Sequence, residues 1–337
     1  MDKKNSLKKY NTFGIEAFAK EIVSIYSTEQ LKEWHKKNPD EKFMALGMGS
    51  NVLFINDFNG TILLNEIKGK EITRQDNHSI ILHVKAGEIW HDLVMWAVEN
   101  NYGGIENLAL IPGKTGTAPI QNIGAYGKEI KDVIEKVYAY DFVTKENKIF
   151  TNQECQFGYR DSIFKKKENK NRYFITAVDL KLSTNHHNIN TSYGAIKEIF
   201  KQKGIANPTL KDIAEAVISI RKSKLPDPEE LGNAGSFFKN PVIDKDLFKK
   251  IQKQFPEMPY YPLENGQVKI PAGWLIEKAG FKGKKFGPVG VHEKQALVLV
   301  NYGKARGKEV KELAEKIIRK VENLFEIKLQ PEVNFIE

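Results

Sequence analysis

A glycine-rich turn between two short apolar stretches limits the folds that this chain can adopt. The turn Gly47-Met48-Gly49-Ser50-Asn51 separates Phe43–Leu46 from Val52–Ile55, and both flanks have the composition of strands. It begins like the glycine fingerprint of Rossmann domains, but the third glycine is missing and a strand follows where that fold needs a helix. The sequence therefore disfavours a Rossmann domain. The backbone amides of such a turn are still suited to binding a pyrophosphate.

A second glycine-rich segment spans residues 107–127 and contains four glycines and two prolines. Within it, Gly113-Lys114-Thr115 ends like a P-loop, but Leu108 stands where the first glycine of that motif belongs, so no ATPase is predicted. The segment keeps apolar residues at Ile111 and Ile120. One interpretation is a backbone that lies close against a large ligand, and the other is a series of ordinary turns. Spacing alone leaves both open.

Charge and composition exclude several classes of protein. The chain carries 52 basic and 43 acidic residues, and the excess is spread over both halves with no basic arm, so nucleic acid is not an expected partner. The first nine residues are polar, and no apolar run approaches the roughly 18 residues of a membrane span. Cys155 is the single cysteine and the seven histidines form no metal-binding motif, which predicts neither a disulfide nor a metal site. We expect a cytoplasmic protein with no membrane partner.

The pattern of apolar residues changes along the chain. Up to about residue 185 it predicts strands and short helices, and beyond 208 it predicts longer amphipathic helices. This change predicts an α+β chain with a first domain at 17–185 and a second at 208–333. The predicted elements are a strand over Ile22–Tyr26, a helix capped by Ser27 with Gln30 at capping-box spacing, strands over Phe43–Leu46, Val52–Ile55 and Ile80–Val84, a helix over Trp90–Glu99, a hairpin over Lys136–Phe150, an alternating strand over Phe174–Leu182, a helix capped by Thr209 and a helix over Lys308–Phe325.

Eight sequence blocks, distributed over nearly the whole chain, occur in the order typical of one protein family. They are Asn11-Thr-Phe-Gly14, Gly47-Met-Gly-Ser-Asn51, Ile111 to Gly127, Gly158-Tyr-Arg160, Lys224-Leu-Pro-Asp-Pro228, Gly232 to Pro241, Ala272-Gly-Trp-Leu-Ile276 and Leu329-Gln-Pro-Glu332-Val333. Through these blocks the chain resembles the bacterial UDP-N-acetylenolpyruvoylglucosamine reductases (UDP-N-acetylmuramate dehydrogenases). Tyr193-Gly194 resembles the tyrosine loop of the longer type in that family.

The resemblance implies a vanillyl-alcohol-oxidase-type (PCMH-type) FAD-binding domain of two subdomains over 17–185 and an α+β substrate-binding domain over 208–333. FAD is expected to bind without a covalent link, with NADPH as co-substrate. The first glycine-rich turn would hold the pyrophosphate, and the second segment would lie along the flavin. The cofactor-binding residues that the resemblance implies are Gly47, Gly49, Ser50, Asn51, Val52, Ile111, Pro112, Gly113, Gly116, Thr117, Ile120, Asn122, Gly124 and Ala125.

The resemblance also implies the reaction. NADPH reduces the flavin, and the hydride then passes to the terminal alkene carbon of the enolpyruvyl ether of UDP-N-acetylglucosamine, which gives UDP-N-acetylmuramate for peptidoglycan. Negative charge develops as an enolate, so the chemistry needs donors at the carboxylate and a proton for the α-carbon. The family pattern assigns the proton to Ser236, and it assigns polarisation of the carboxylate to Arg160 and to a protonated Glu332. Taken singly, these residues have other interpretations: an ion pair of Arg160 with Asp161, turn chemistry for Ser236 and an exposed Glu332.

The remaining expectations concern the substrate and the competing functions. Positive side chains suit a diphosphate, and tyrosines suit uracil and phosphate oxygens. We expect a monomer that binds UDP-N-acetylglucosamine enolpyruvate. The alternatives are a flavin oxidase or dehydrogenase of the same fold that acts on another substrate, and a non-catalytic nucleotide-sugar sensor, which has no need of a proton donor. The family pattern implies substrate contacts from Tyr126, Tyr159, Tyr193, Arg221, Lys224, Asn240, Tyr261, Lys282 and Gln295.

Overall fold

The computed structural model describes residues 5–337, so residues 1–4 of the polar N-terminal segment lie outside the described part. The chain divides into two compact units. The larger unit consists of Lys20–Met48 and Asn59–Ser223, and the smaller unit consists of the described residues up to Ala19 together with Gly49–Phe58 and Lys224–Glu337. The chain therefore passes from the larger into the smaller unit within the glycine-rich turn.

Short strands outnumber helices along the described residues. In sequence order the elements are β1 (Ala19–Ile25), α1 (Thr28–Lys37), β2 (Phe43–Leu46), β3 (Val52–Phe54), β4 (Phe58–Asn65), β5 (Lys70–Gln75), β6 (Ser79–Lys85), α2 (Trp90–Glu99), β7 (Gly124–Ala125), β8 (Lys128–Glu129), β9 (Ile134–Asp141), β10 (Glu146–Thr151), β11 (Tyr173–Ser183), α3 (Gly194–Lys203), α4 (Leu210–Lys224), β12 (Gly232–Ser236), β13 (Val242–Ile243), α5 (Lys245–Gln254), β14 (Tyr261–Pro262), β15 (Val268–Lys269), α6 (Ala272–Lys278), β16 (Lys285–Phe286), β17 (Val289–Val291), β18 (Val298–Asn301), α7 (Gly307–Phe325) and β19 (Asn334–Ile336).

A five-stranded antiparallel sheet forms the centre of the larger unit, in the order β10-β9-β11-β6-β5. A second sheet has the order β1-β4-β2, with β2 and β4 parallel. Helices α2, α3 and α4 bury Leu93, Phe200 and Val217 in the same apolar core as Leu180 of β11. Helix α4 is therefore built into the larger unit, and the predicted domain boundary at 208 lies on its N-terminal side.

A four-stranded antiparallel sheet forms the centre of the smaller unit, in the order β12-β18-β17-β16. Helix α7 packs on β17 and β18, and α6 packs on α7, so that Leu275 and Ile317 share one core with Leu299. The C-terminal β19 pairs in parallel with β3, with Phe335 opposite Leu53. Because β3 directly follows the glycine-rich turn, this pairing fixes the end of the turn to the last residues of the chain.

The predicted helix caps are confirmed. Ser27 accepts a hydrogen bond from the Gln30 N–H (3.0 Å), although the Gln30 side chain bonds the N–H of Tyr26 (2.7 Å) instead of that of Ser27. Thr209 and Asp212 cap α4 reciprocally, because each side chain accepts from the other residue's N–H. Strand β2 and helix α2 have the predicted bounds, and the predicted hairpin is the antiparallel pair β9–β10.

The alternating strand prediction needs a correction at β11. The predicted inward face is buried at Phe174, Val178 and Leu180, but Ile175 and Ala177 on the opposite face are buried as well. The reason is the central position of β11 between β9 and β6, where Phe174 packs into one apolar core and Ile175 into another. Two register irregularities against β9 also break the strict period of two.

Three structural observations concern membrane-spanning helices, the single cysteine and metal-binding side chains. None of the helices described combines the length and the apolar character that a bilayer span requires. Burial, with a smaller contribution from Glu154, raises the pKa of the Cys155 thiol to about 12, so this cysteine is an inert core residue. Over residues 5–337 there is no group of three or more metal-binding side chains.

Candidate active site

The 113–117 loop of the larger unit is fixed on the segment that joins β6 to α2. The Thr115 N–H donates to the Glu88 carbonyl (2.8 Å), and the Gly116 N–H donates to the Ala86 carbonyl (2.9 Å). Two amides of the loop are thereby satisfied by the protein itself, so they do not serve a ligand. The same bonds hold the loop rigidly against the end of the central sheet.

Two of the predicted cofactor glycines are required by the packing of the protein itself. A Cβ on Gly116 would lie 2.5 Å from the Cβ of Ala86, and a Cβ on Gly47 would lie 2.7 Å from Cγ2 of Thr117. Carbon atoms do not approach so closely, so only glycine lets these segments meet. Spacing had left ligand approach and ordinary turns open. The packing reason at Gly47 is the approach of the turn to Thr117 of the 113–117 loop, and the packing reason at Gly116 is the approach of that loop to Ala86.

Four residues of the larger unit near these segments have a backbone conformation that side chains rarely adopt. The angle φ is +58° at Leu110, +44° at Asn122, +49° at Tyr126 and +55° at Arg160. A non-glycine residue in this region costs roughly 1–2 kcal/mol, and such residues concentrate at functional sites. Three of the four belong to the predicted set, whereas the sequence did not single out Leu110.

Arg160 and Asn122 are held in place by carbonyls of neighbouring loops. Arg160 Nη2 donates to the Gly124 carbonyl (2.6 Å), and the Asn122 amide donates to the Gly158 carbonyl (2.9 Å). The Arg160 guanidinium also lies 5.4 Å from the centre of the Tyr159 ring. The structure thus brings a predicted catalytic residue, a predicted substrate residue and two predicted cofactor residues into one contact group.

Three predicted substrate residues, Tyr126, Tyr193 and Arg221, form a second contact group. The two tyrosine rings meet edge to face with centres 4.9 Å apart. Arg221 hydrogen-bonds the Tyr126 side chain, and its Nε donates to the Leu110 carbonyl (3.1 Å). Burial raises the pKa of Tyr126 and Arg221 opposes that rise, while burial lowers the pKa of Arg221 and Tyr126 opposes that change. The group offers phenol hydroxyls and a positive charge, which suits a phosphate or a uracil.

His91 belongs to this second group, although the sequence did not single it out. Its Nδ1 accepts a hydrogen bond from the Leu110 N–H (3.1 Å). Burial lowers the pKa of His91, and nearby Lys222 and Arg221 lower it further against the opposing effect of Asp92. The ring is therefore neutral at pH 7, with its proton on Nε2. No sequence pattern marks this histidine, because its partner is 19 positions away in a loop.

In the smaller unit, the backbone brings Ser236 and Glu332 together. The Glu332 N–H donates to the carbonyl of Phe237, the residue after Ser236 (2.8 Å). Ser236 is exposed at the end of β12, where the register shifts after Asn233 and Gly235 has a φ of +66°. Such irregularities re-aim the side chains of a strand. Ser236 is thus exposed one residue before the backbone bond to Glu332, which is half-buried and 96 positions away in the sequence.

Asn51 completes this group of the smaller unit. Its side-chain amide donates to the Glu332 carbonyl (3.3 Å), and its own carbonyl accepts from the Asn334 N–H (3.0 Å). The turn itself is closed by Gly49, which has a φ of +64° and where a Cβ would lie only 1.9 Å from the Tyr10 carbonyl oxygen. The predicted pyrophosphate turn is therefore tied to the residue predicted to polarise the substrate.

Asn240 and Gln295 lie near the N-terminus of α6. Asn240 Oδ1 accepts from the Ala272 N–H (2.9 Å), and Gln295 Oε1 would lie 3.1 Å from a Cβ on Gly273. One polar atom of Asn240 thus caps a helix. Both residues are half-buried, and both bring amide groups to the same helix end.

The remaining predicted substrate residues are more exposed. Lys282 makes an ion pair with Glu277 (3.0 Å), Tyr261 is exposed on β14, and Lys224 is exposed at the end of α4. Surface ion pairs of this kind contribute little to stability, so the Lys282–Glu277 pair can open at low cost. These contacts do not test a role in substrate binding, which stays a prediction.

The predicted site residues divide between the two units. In the larger unit lie Gly47, Ile111, Pro112, Gly113, Gly116, Thr117, Ile120, Asn122, Gly124, Ala125, Tyr126, Tyr159, Arg160, Tyr193 and Arg221. In the smaller unit lie Gly49, Ser50, Asn51, Val52, Lys224, Ser236, Asn240, Tyr261, Lys282, Gln295 and Glu332.

The predicted cofactor residues fit an extended anionic group such as FAD. None of them carries a negative charge, and within the larger unit Gly47 packs next to Thr117 of the second glycine-rich segment. Lys114 takes no part, because its ammonium contacts Glu66 (2.6 Å) and the Asn65 carbonyl (2.7 Å). A phosphate bound at this site would therefore depend on backbone amides and hydroxyls in place of a P-loop lysine.

Comparisons with known proteins identify similar families, proteins and a similar solved structure. Residues 20–151 match an FAD binding domain family, and residues 227–336 match the family described as UDP-N-acetylenolpyruvoylglucosamine reductase, C-terminal domain. The chain is 53% identical to the reductase of that name from Flavobacterium johnsoniae, over 98% of both chains. It is 47% identical to the one from Pasteurella multocida, over 98% of this chain and 96% of that protein. The crystal structure of UDP-N-acetylenolpyruvylglucosamine reductase from Thermus caldophilus shares the fold, with a TM-score of 0.66 and 24% identity over 98% of this chain and 97% of that chain.

Proposed function

Because this chain belongs to the UDP-N-acetylenolpyruvoylglucosamine reductase family, we propose that it performs the family's reduction with the residues described above. It is an NADPH-dependent flavoenzyme that reduces the enolpyruvyl group of UDP-N-acetylglucosamine enolpyruvate in peptidoglycan precursor synthesis. FAD, held by the predicted cofactor residues, would supply the redox chemistry that links NADPH to the alkene. Family membership decides against the sensor and against an oxidase with another substrate.

The proximity of Ser236 and Glu332 carries the assignment of the proton donor. When hydride reaches the terminal alkene carbon, negative charge spreads onto the α-carbon and its carboxylate, and the α-carbon needs a proton. A serine hydroxyl is a weak acid, so it donates only to an electron-rich enolate with other donors nearby. The exposed Ser236 hydroxyl would supply this proton, and a protonated Glu332 beside it would donate a hydrogen bond to the carboxylate.

Arg160 is proposed as the second group that polarises the carboxylate. A guanidinium is planar, stays charged and binds carboxylates through paired N–H donors. The bond from Arg160 to the Gly124 carbonyl and the contact with the Tyr159 ring fix the orientation of that plane. A fixed cation stabilises developing charge without reorganising during the reaction.

The further assignments follow the predicted residue sets. We propose the fourteen cofactor residues from Gly47 to Ala125 as the FAD-binding set, and the nine residues from Tyr126 to Gln295 as the UDP-sugar set. The contact group of Tyr126, Tyr193 and Arg221 supports the second set. We also propose the domain ranges 17–185 and 208–333. From the same sequence arguments we propose a monomer in the cytoplasm with no membrane partner.

The variant Ser236→Ala tests the proton assignment through the two half-reactions. Anaerobic reduction of the bound flavin by NADPH should proceed at nearly the wild-type rate, whereas reoxidation by the enolpyruvyl substrate should slow by about 10²- to 10⁴-fold, the usual contribution of a general acid. Stopped-flow absorbance of the flavin follows both steps. Ser24→Ala in β1 is the matched control. Equal losses in both half-reactions would contradict the assignment.

A further inference from the structure

Two asparagines fasten the loop before Tyr193 to the turn that carries Tyr126. Asn107 Nδ2 donates to the carbonyls of Tyr126 (3.2 Å) and Asn190 (3.0 Å). In return, Asn190 Nδ2 donates to the Gly127 carbonyl (2.9 Å). Asn107 is completely buried, so its two N–H donors are directed at these carbonyls and not at solvent. The bonds join positions 83 and 63 residues apart, which only the tertiary structure brings together.

The same contacts continue to Tyr193. Asn190 Oδ1 accepts from both the N–H (2.9 Å) and the hydroxyl (2.7 Å) of Ser192, the residue before Tyr193. The Tyr193 ring then meets the Tyr126 ring, and the Tyr193 carbonyl accepts the first hydrogen bonds of α3. At Gly127, which has a φ of +80°, a Cβ would lie 2.7 Å from Asn190 Nδ2. Glycine at position 127 therefore allows the close approach of the Asn190 side chain.

We propose that Asn107 and Asn190 are positioning residues for substrate binding, which hold the segment that carries Tyr193 against the turn that carries Tyr126. The inference rests on the proposed function, because it takes the two tyrosines as substrate contacts. Free loops lose conformational entropy when they close on a ligand, and a loop that is already fastened loses less. The pair of asparagines therefore improves affinity for the nucleotide sugar without touching it.

Within the described part of the chain, the Asn107 side chain forms hydrogen bonds only through its Nδ2 group. Its Oδ1 is buried and has no hydrogen-bond partner among residues 5–337. An isosteric aspartate would keep the shape of the side chain but change the donors with pH. The neutral acid has one O–H donor for the two carbonyls, and the carboxylate has none. The fastening should then weaken as the introduced acid ionises.

The test measures the KM for the enolpyruvyl substrate from pH 6 to pH 9 in wild type, Asn107→Asp and Asn190→Ala. Asn190→Ala removes three hydrogen bonds, of which only the one to the Gly127 carbonyl reaches the turn that carries Tyr126. A net 0.5–1.5 kcal/mol for that bond corresponds to about a two- to twelvefold rise in KM. We expect a rise in that range for Asn190→Ala at every pH. For Asn107→Asp the ratio to wild type should grow as pH rises through the pKa of the introduced acid, because its last O–H donor is then lost. Flavin reduction by NADPH should be unchanged in both variants.

Asn185→Ala is the matched control. Asn185 lies on the same segment and bonds the Asn77 carbonyl (2.6 Å) and His78 (3.2 Å), away from the Tyr126 turn. It should leave KM at the wild-type value. If it raises KM as much as Asn190→Ala does, general anchoring of the segment explains the effect and the inference fails.

Tyr193→Ala separates this inference from the proposed function. If Tyr193→Ala raises KM and the asparagine variants do not, the inference is overturned and the proposed function stands. If Tyr193→Ala leaves KM unchanged, the assignment of Tyr193 to substrate binding is itself wrong. If the inference and the proposed function are both correct, Asn190→Ala should cause no further rise in KM when Tyr193 is already alanine, because no tyrosine ring is left to position.

Discussion

Replacing Arg221 by lysine tests the second contact group most directly, because it keeps the charge and changes the geometry. Arg221 bonds two groups at once: its Nε reaches the Leu110 carbonyl (3.1 Å), and the side chain also reaches the Tyr126 hydroxyl. A lysine ammonium is a single point at the end of a flexible stem and cannot span both acceptors in the same way. Arg221→Lys should therefore lose one hydrogen bond from a charged donor.

The size of the effect follows from that single bond. A hydrogen bond to a charged group contributes about 1.5–3 kcal/mol, which corresponds to about a 10- to 150-fold decrease in kcat/KM for the enolpyruvyl substrate. Leu110 has a left-handed backbone, so the loss of its partner also releases strain in the loop before Ile111. Arg319→Lys, on the exposed face of α7, is the matched control and should behave like wild type.

The assay is steady-state kinetics with the enolpyruvyl substrate, together with spectrophotometric titration of tyrosine. In Arg221→Gln the opposing charge is gone, so the pKa of Tyr126 should rise above its already raised value, whereas Arg221→Lys should move it little. A kcat/KM within threefold of wild type in Arg221→Lys, at roughly 0.6 kcal/mol or less, would refute the argument that the bidentate geometry matters.

Two further predictions concern stability and cofactor binding. Gly116→Ala places a Cβ 2.5 Å from the Cβ of Ala86, so this overpacking should cost about 1–3 kcal/mol in the free energy of unfolding and lower the flavin content. Gly194→Ala, whose Cβ would meet nothing within 4 Å, should keep both, and flavin retention in Gly116→Ala would contradict the packing argument. At acid pH, burial raises the pKa of Asp141, but hydrogen bonds from Arg172 and from backbone amides outweigh it and lower the pKa below its ordinary value. Such a carboxylate contributes stability above the ordinary aspartate pKa of about 3.9 that is lost as pH falls through the folded-state pKa, so acid unfolding should be steeper in wild type than in Asp141→Asn, and equal slopes would contradict this.

The sequence by itself determined the local structure where side chains interact with their own neighbours in the chain. Ser27 and Thr209 cap their helices because the bonded amides lie three residues away. The bounds of α2 follow from its own apolar period. The missing third glycine after Gly49 also correctly disfavoured a Rossmann domain, since a strand follows the turn. The ordered blocks identified the family, because each block combines several residue types at fixed spacing.

The tertiary structure decided the features that depend on distant contacts. Tyr126 and Arg160 have a left-handed backbone conformation, which the sequence predicts only at glycine. Hydrogen bonds with residues far away in sequence hold them in this conformation. The family pattern implied Gly116 as a cofactor contact, and the tertiary structure adds that a side chain at this position would collide with Ala86. His91 and Asn107 joined the candidate site only when loops folded onto them. Sequence patterns report bonds within a few residues, whereas the packing of one segment on another depends on the whole chain, and at this site that packing fixes where the reactive groups lie.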